Sequence, residues 1–366
     1  MMNDVSKIIQ EQVADAYQTN NPVVITGNGT KNFYGHPSDG TPLIVSQYQG
    51  VISYEPTELV ITARAGTPLN EIEELLDNNG QQLAFEPPHF KIKQTDSEEQ
   101  RDASLGGTIA CGLSGPARAN NGAARDFVLG CEIVNGKGEQ LKFGGQVMKN
   151  VAGYDVSRLI CGSLGTLGVI LNVSLKVLPK PEMTTSLSFS LSRDEAYLKL
   201  RELNNKPYPI TASCYFDGQL SIRLAGNTQA IKATQNKIGG DIIDNDLKFW
   251  ESIKEQQHTF FDTKQTLWRI STKPFSPLNI DIDKDTGCLT EWHGALHWVK
   301  TNTPAKILRQ HVEKIGGHAT IFRNGSAQDE IFHPLTTPLF SIHKNLKHAF
   351  DPADILNRNK IYLFNE

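Results

Sequence analysis

Two dense glycine clusters bracket one stretch of this chain, and no other feature narrows the possible folds as much. The run from Ser104 to Gly168 holds 14 of the 30 glycines. It opens Ser104-Leu105-Gly106-Gly107-Thr108-Ile109-Ala110-Cys111-Gly112-Leu113-Ser114-Gly115-Pro116 and closes Gly162-Ser163-Leu164-Gly165-Thr166-Leu167-Gly168-Val169-Ile170. Glycine permits positive φ and lets a bulky group lie directly on the main chain. The segments between the glycines, Phe127 to Val134 and Val169 to Val177, are too apolar and β-branched for a disordered linker. Two such clusters around a strand pair predict an ordered backbone shaped to carry something large and polar, a nucleotide cofactor, rather than a set of tight turns.

A chain of 366 residues exceeds one average domain, so two lobes are expected. A formal net charge of −4 gives no electrostatic reason to bind nucleic acid. No apolar run approaches the roughly 20 residues of a membrane-spanning helix, so no transmembrane segment is expected. The N-terminus predicts an amphipathic helix with Val5, Ile8, Ile9, Val13 and Tyr17 on one face, without the apolar core of a signal peptide. A cytoplasmic location follows. Cys111, Cys131, Cys161, Cys214 and Cys288 form no Cys-x-x-Cys pair, so no structural zinc or iron–sulfur cluster is expected, only free thiols.

In chain order, Val23 to Thr26 predicts a short strand running into Gly27-Asn28-Gly29-Thr30-Lys31-Asn32. Successive N–H groups in such a turn suit an anion, and Lys31 adds charge; a surface turn would explain the loop equally well by itself. It is not a dinucleotide fingerprint, since Asn32 replaces the third glycine and no helix pattern follows. Glu58 to Ala63 predicts a strand, and Thr67-Pro68 the N-cap and first position of a helix that Gly80 stops. Phe85 to Phe90 is a rigid aromatic turn in which His89 could face a ligand, although a histidine beside two prolines is more often just a loop residue, and Lys91 to Asp102 is expected to be a mobile surface loop. Phe127 to Asn135 and Glu139 to Phe143 predict a hairpin, Asp155 caps a short helix, and Val169 to Leu178 is the longest strand. Arg118 and Arg125 lie close to the first cluster in sequence and could meet a pyrophosphate or simply solvate the surface. Beyond Pro179 and Pro181, strands at Thr184–Ser192, Ser213–Phe216, Gln219–Leu224, Thr266–Ser271 and Cys288–Val299 mix with helices, an α+β unit. Asp217-Gly218 marks a two-residue hairpin. Leu335 to Phe350 predicts a terminal helix.

Several chemistries fail on spacing. Neither Ser114 nor Ser163 stands in G-x-S-x-G, and Gly136-Lys137 is followed by Gly138 rather than a hydroxyl residue. His293 and His297 on one regular strand would sit about 13 Å apart, too far to share a metal.

The glycine clusters, with Gly27 to Lys31 upstream, resemble the FAD-binding domain of the vanillyl-alcohol oxidase and para-cresol methylhydroxylase (PCMH) superfamily. Gln146 to Leu159, Trp292 to Trp298, His318 to Arg323 and Phe350-Asp351-Pro352-Ala353 narrow the resemblance to the FAD-binding subunits of bacterial glycolate oxidases. It covers nearly the whole chain and is most specific over residues 101–183.

The resemblance implies an α+β, two-lobe architecture: a PCMH-type FAD-binding domain over 1–183 with a break near 55, a smaller, reduced α+β cap over 184–345, and a segment 346–366 returning to the FAD domain. It implies that Gly27, Asn28, Gly29, Thr30 and Lys31 wrap the FAD pyrophosphate. Gly106, Gly107, Thr108, Ala110, Gly112, Ser114 and Gly115 line its other side, with Arg118 adjacent, and Gly165, Gly168, Val169 and Ile170 hold the adenine end and flavin edge. No histidine lies inside Gly27 to Lys31 or Ser104 to Gly115, so FAD is expected to be non-covalent, with His36 and His89 the nearby candidates for a covalent bond. The Gly-Asp-Gly motif of catalytic 2-hydroxy-acid members is absent and the cap is short. The resemblance therefore implies an oxidoreductase subunit active in a complex, oxidising glycolate to glyoxylate with a larger sister flavoprotein and an iron–sulfur subunit, peripheral to a membrane only through those partners. Alternatives are a self-sufficient FAD-dependent 2-hydroxy-acid dehydrogenase and a non-catalytic FAD-carrying assembly or electron-relay subunit. No general base can be named from the residues; His89, His297, His333 and His343 are each expected to be structural.

Overall fold

The computed structural model describes residues 5–93, 100–145, 155–278, 287–326 and 329–364. The chain divides into two compact units, one of 1–113, 123–179 and 334–366, the other of 114–122 and 180–333. Both mix helices with antiparallel sheet, the α+β class expected.

The first unit is built on a five-stranded antiparallel sheet in the order Val51–Glu55, Val60–Arg64, Val169–Lys176, Val128–Val134, Gln140–Gly144. Its central strand, Val169–Lys176, has Val169, Leu171, Val173 and Leu175 fully buried, which is why it reads as a nearly continuous apolar run. The helix Val5–Thr19 packs on this core, but its buried stripe is Ser6, Ile9, Val13 and Ala16. Ile8 (45% exposed) and Tyr17 (37%) fall outside the expected face, because the 3.6-residue period rotates them off it.

The helix Leu69–Asp77 lacks the expected cap. Thr67 Oγ1 accepts instead from the Gly50 N–H at 2.8 Å, and Pro68 stands at the helix entrance without a side-chain bond. A parallel ribbon pairs Val23–Thr26 with Thr41–Ile44, and Leu356 of the tail bridges to Val23 on the same strand. The tail is pinned by Lys347, whose buried ammonium donates to Asp351 Oδ2 at 2.6 Å, to the Leu356 carbonyl at 2.9 Å and to the Thr166 carbonyl at 3.0 Å. The ends of the segment expected to be a mobile loop are ordered: Ile92–Lys93 pairs with Gln100–Arg101, and Asp102 is buried. Its middle lies outside the described residues, as does most of the motif Gln146 to Leu159.

The second unit is an eight-stranded antiparallel sheet. The Asp217-Gly218 turn is present, with φ of 48° and 75°, joining Ile210–Phe216 to Gln219–Gly226. Helix Arg193–Asn204 starts in a capping box of Ser192 and Glu195, and its Leu200 and Leu203 pack against Leu220, Ile222 and Leu224 of the sheet. Cys288 to Val299 is not one strand. Gly287–Glu291 and Leu296–Lys300 pair antiparallel around a turn in which Trp292, His293 and Gly294 all have positive φ (53°, 55° and 85°). Alternating apolar residues masked this turn, because only its glycine signals it. Among the described residues, no helix is long and apolar enough to cross a membrane.

Candidate functional site

Between the first parallel ribbon and the helix Leu105–Cys111, the first unit encloses a cavity of about 300 Å³, within the range of ligand sites. Two adjacent glycines within the seven residues of this helix argue against it in the sequence. Ser104 caps it, accepting from the Gly107 N–H at 3.4 Å, while Leu105 and Ile109 are buried at 1% and 0% exposure. Burial of two such side chains is worth about 1.5–3 kcal/mol each and overrides the glycine penalty. A Cβ on Gly106 would stand 2.7 Å from that of Ala65, so this glycine exists for helix-on-sheet contact. Gly107 faces only Ser104 Oγ, 3.2 Å from where its Cβ would be, and lines the cavity.

The opposite wall is the loop Gly27 to Lys31. The backbone N–H groups of Gly27, Asn28, Gly29 and Thr30 have no acceptor among the described residues, and all four residues line the cavity. Gly29 has φ 78°, the left-handed conformation that folds such a run into a concave nest. Asn28 Nδ2 donates to the Asp102 carbonyl at 2.9 Å, tying the loop to the residue two before the helix cap Ser104. Lys31 is buried, its Nζ 3.5 Å from both Thr30 Oγ1 and the His89 carbonyl and 5.7 Å from the centre of the Phe90 ring. Lys360 enters from the tail; burial lowers its pKa, with Cys111 pulling it back upward. Burial in turn raises the Cys111 thiol pKa, opposed by the charges of Lys31 and Lys360. Two lysines and no carboxylate line the cavity, and the buried Ser38 Oγ has no hydrogen-bond partner among the described residues. Unused donors, two cations and an apolar remainder from Val24, Ile25, Val45, Ala110, Leu164 and Ile170 fit a ligand with an anionic centre and flat apolar ends.

Of the residues singled out in the sequence, Gly27, Asn28, Gly29, Thr30, Lys31, Gly106, Gly107, Ala110, Gly165, Gly168 and Ile170 line this cavity. Thr108, Gly112 and Val169 belong to the same unit without lining it. Thr108 is buried on the helix itself with Oγ1 unpartnered among the described residues, Gly112 terminates the helix at φ 62°, and Val169 pairs with Val134. Ser114, Gly115 and Arg118 belong to the second unit, where the Gly115 carbonyl accepts from Trp292 Nε1 at 3.0 Å and Arg118 lies 4.5 Å from the Trp292 ring centre.

Ser104, Tyr34, Ser38, Cys111, Leu164, Asn357 and Lys360 also line the cavity and were not singled out one by one. Asn357 and Lys360 sit at least 189 residues beyond the second glycine cluster, and nothing local in the sequence marks them. The one available signal is Asn357-Arg358-Asn359, whose two asparagines take positive φ (40° and 61°).

His89 is not an ordinary loop residue. It is 5% exposed, with Nδ1 hydrogen-bonded to Asp102 Oδ1 and Nε2 3.1 Å from Glu73 Oε2. Burial alone would lower its pKa, but hydrogen bonds to Asp102 and Glu73 and the charges of both raise it to about 9. Burial pushes the Asp102 carboxyl pKa up, and the His89 hydrogen bond and charge, the Ala103 N–H and Lys91 bring it below its usual value. His36 does not line the cavity; its backbone N–H donates to the Lys360 carbonyl at 3.0 Å.

A family model described as FAD binding domain matches residues 5–144, and with the relatives below it makes the chain an FAD-binding oxidoreductase subunit. The chain is 44% identical over 359 residues to glycolate oxidase subunit GlcE of Escherichia coli (strain K12), covering 98% of both chains. It therefore belongs to the glycolate oxidase subunit GlcE family. It is also 30% identical over 168 residues to glycolate oxidase subunit GlcD of Bacillus subtilis (strain 168), which is 45% of this chain and 34% of that one. Among solved structures, an alkyldihydroxyacetonephosphate synthase superposes with a TM-score of 0.66 at 16% identity, over 97% of this chain and 76% of its own. The FAD and the oxidoreductase class expected from the sequence are borne out.

Proposed function

We propose that the chain is the FAD-binding subunit of a glycolate-oxidising complex and turns over substrate only with partner subunits. Full-length similarity to the GlcE subunit carries this reading. The cavity supports it, because its donors and cations match a dinucleotide. In this reading the N–H groups of Gly27 to Thr30, with Lys31 and Lys360, hold the pyrophosphate, and the Gly107 main chain lies against it. Ile25, Val45, Leu164 and Ile170 exclude water from the apolar ends of the cofactor. Conversion of glycolate to glyoxylate removes two electrons and two protons, and bound FAD supplies the electron acceptor. This chain's part is to bind and orient.

In this proposal the FAD-binding domain is the first unit, 1–113 and 123–179 with the returning tail 334–366 that delivers Asn357 and Lys360, and the second unit, 114–122 with 180–333, is a reduced cap. In this reading a sister flavoprotein of the GlcD type handles substrate and an iron–sulfur subunit carries electrons onward, a division supported by the missing Gly-Asp-Gly motif and the unclustered cysteines. Any membrane association runs through those partners.

The test is anaerobic stopped-flow reduction of the flavin by glycolate. The chain alone is expected to stay oxidised, and to bleach once the sister flavoprotein is added. Reduction of the lone chain at about 1 s⁻¹ or faster, the lower end of ordinary turnover, would show a self-sufficient dehydrogenase.

A further inference from the structure

We infer that His89 is a positioning residue for the FAD cradle, acting through a buried cluster that holds the two glycine segments in their binding geometry. The inference rests on the cavity being the FAD site.

The cluster is one connected set of bonds. Both nitrogens of His89 meet carboxylate oxygens, Nδ1 that of Asp102 and Nε2 that of Glu73 at 3.1 Å. Ionised carboxylates only accept, so the ring satisfies both as an imidazolium with two donors. Asp102 passes the constraint on in two directions. Its Oδ1 accepts from the Ala103 N–H at 2.6 Å, immediately before Ser104 and the helix that carries Gly107. Its backbone carbonyl accepts from Asn28 Nδ2 at 2.9 Å, inside the loop of unused N–H groups. The His89 carbonyl, in turn, lies 3.5 Å from Lys31 Nζ. One buried ring thus tethers both walls of the cavity without lining it.

The charges around the ring give the device a pH dependence. Glu73 faces it from the helix Leu69–Asp77, and Asp102 from the opposite side. Lys91 lies 3.7 Å from Asp102 Oδ2, and Lys31 lies beside the His89 carbonyl. Loss of the ring proton leaves two carboxylates competing for one donor, and Asp102 is released from its fixed orientation. Asn28 and Ser104 move with it, and the cradle loosens as pH rises through about 9.

The experiment is the FAD dissociation constant of the purified full chain, followed by flavin fluorescence between about pH 7.5 and 9.5. The wild-type constant is expected to rise about tenfold across this range. Glu73→Gln removes a carboxylate that is 37% exposed. It is expected to leave folding intact by circular dichroism and to move the transition down by about one pH unit. His89→Gln is expected to bind FAD more weakly at the lower pH, with no transition. Wild-type and Glu73→Gln profiles that superimpose would overturn the inference, because titration of the lysines or of the flavin itself would then account for the alkaline limb. Absence of FAD binding by the wild type at every pH would overturn the cavity assignment, and this inference with it.

Discussion

The backbone N–H of Ile25 donates to Oδ1 of Asn357 at 2.8 Å, across 332 residues of chain. The same side chain donates from Nδ2 to the Leu164 carbonyl at 2.6 Å, so one amide joins the first strand, the second glycine cluster and the tail. All three residues line the cavity. Asn357→Ala strands a donor and an acceptor, each costing about 1–3 kcal/mol if it stays buried and unpaired. Urea denaturation should show a loss in this range, and FAD affinity should fall with it. A variant of unchanged stability and affinity would mean that water replaces both bonds.

Gly106 and Gly107 are neighbours with different duties, and they should respond differently. A Cβ at Gly106 collides with Ala65, so Gly106→Val is expected to destabilise the fold by about 1–3 kcal/mol with or without flavin. Gly107→Val meets only the Ser104 hydroxyl, 3.2 Å from the new Cβ, and is expected to keep its circular dichroism while losing FAD affinity tenfold or more, about 1.4 kcal/mol. Gly29→Val should resemble Gly107→Val in its loss of FAD, with added strain from φ 78°. Titration of each apoprotein with FAD separates the cases; equal affinities for Gly29→Val, Gly107→Val and wild type would show that these glycines serve ordinary turns.

The apoprotein should lose stability on the alkaline side. The folded-state pKa of His89, about 9, stands above the unfolded value of 6.5. The native state therefore binds more protons between these values. Its contribution is complete below about 6.5 and is lost as pH rises through about 9. Urea midpoints of wild type should decline over this window, and those of His89→Gln should be lower at neutral pH but flatter. Parallel declines would place the effect elsewhere.

FAD should leave the protein on acid precipitation. Both ring nitrogens of His89 are engaged by carboxylates, and His36 does not line the cavity, so neither offers a free nitrogen to the flavin. Yellow colour should appear in the supernatant. Flavin retained in the precipitate would require a covalent bond.

What the sequence determined by itself was local. Apolar runs specified the strands Val128–Val134 and Val169–Lys176, Asp217-Gly218 specified its hairpin, and Ser192 with Glu195 its helix start, because each signal acts within a few residues. Gly27 to Lys31 was legible as a glycine-rich turn suited to an anion, with an ordinary surface turn an equal reading by itself, because its signal is also local. The tertiary structure decided the rest. A helix through Gly106 and Gly107 forms only because Leu105 and Ile109 are buried on the sheet. His89 became an ion-paired cation only when folding placed Glu73 and Asp102 on its two nitrogens. Asn357 and Lys360 reach the cavity because Lys347 pins the tail through contacts of long sequence separation. Such partners carry no periodic or neighbouring signature, since the energy that selects them exists only once distant segments share a dry interior.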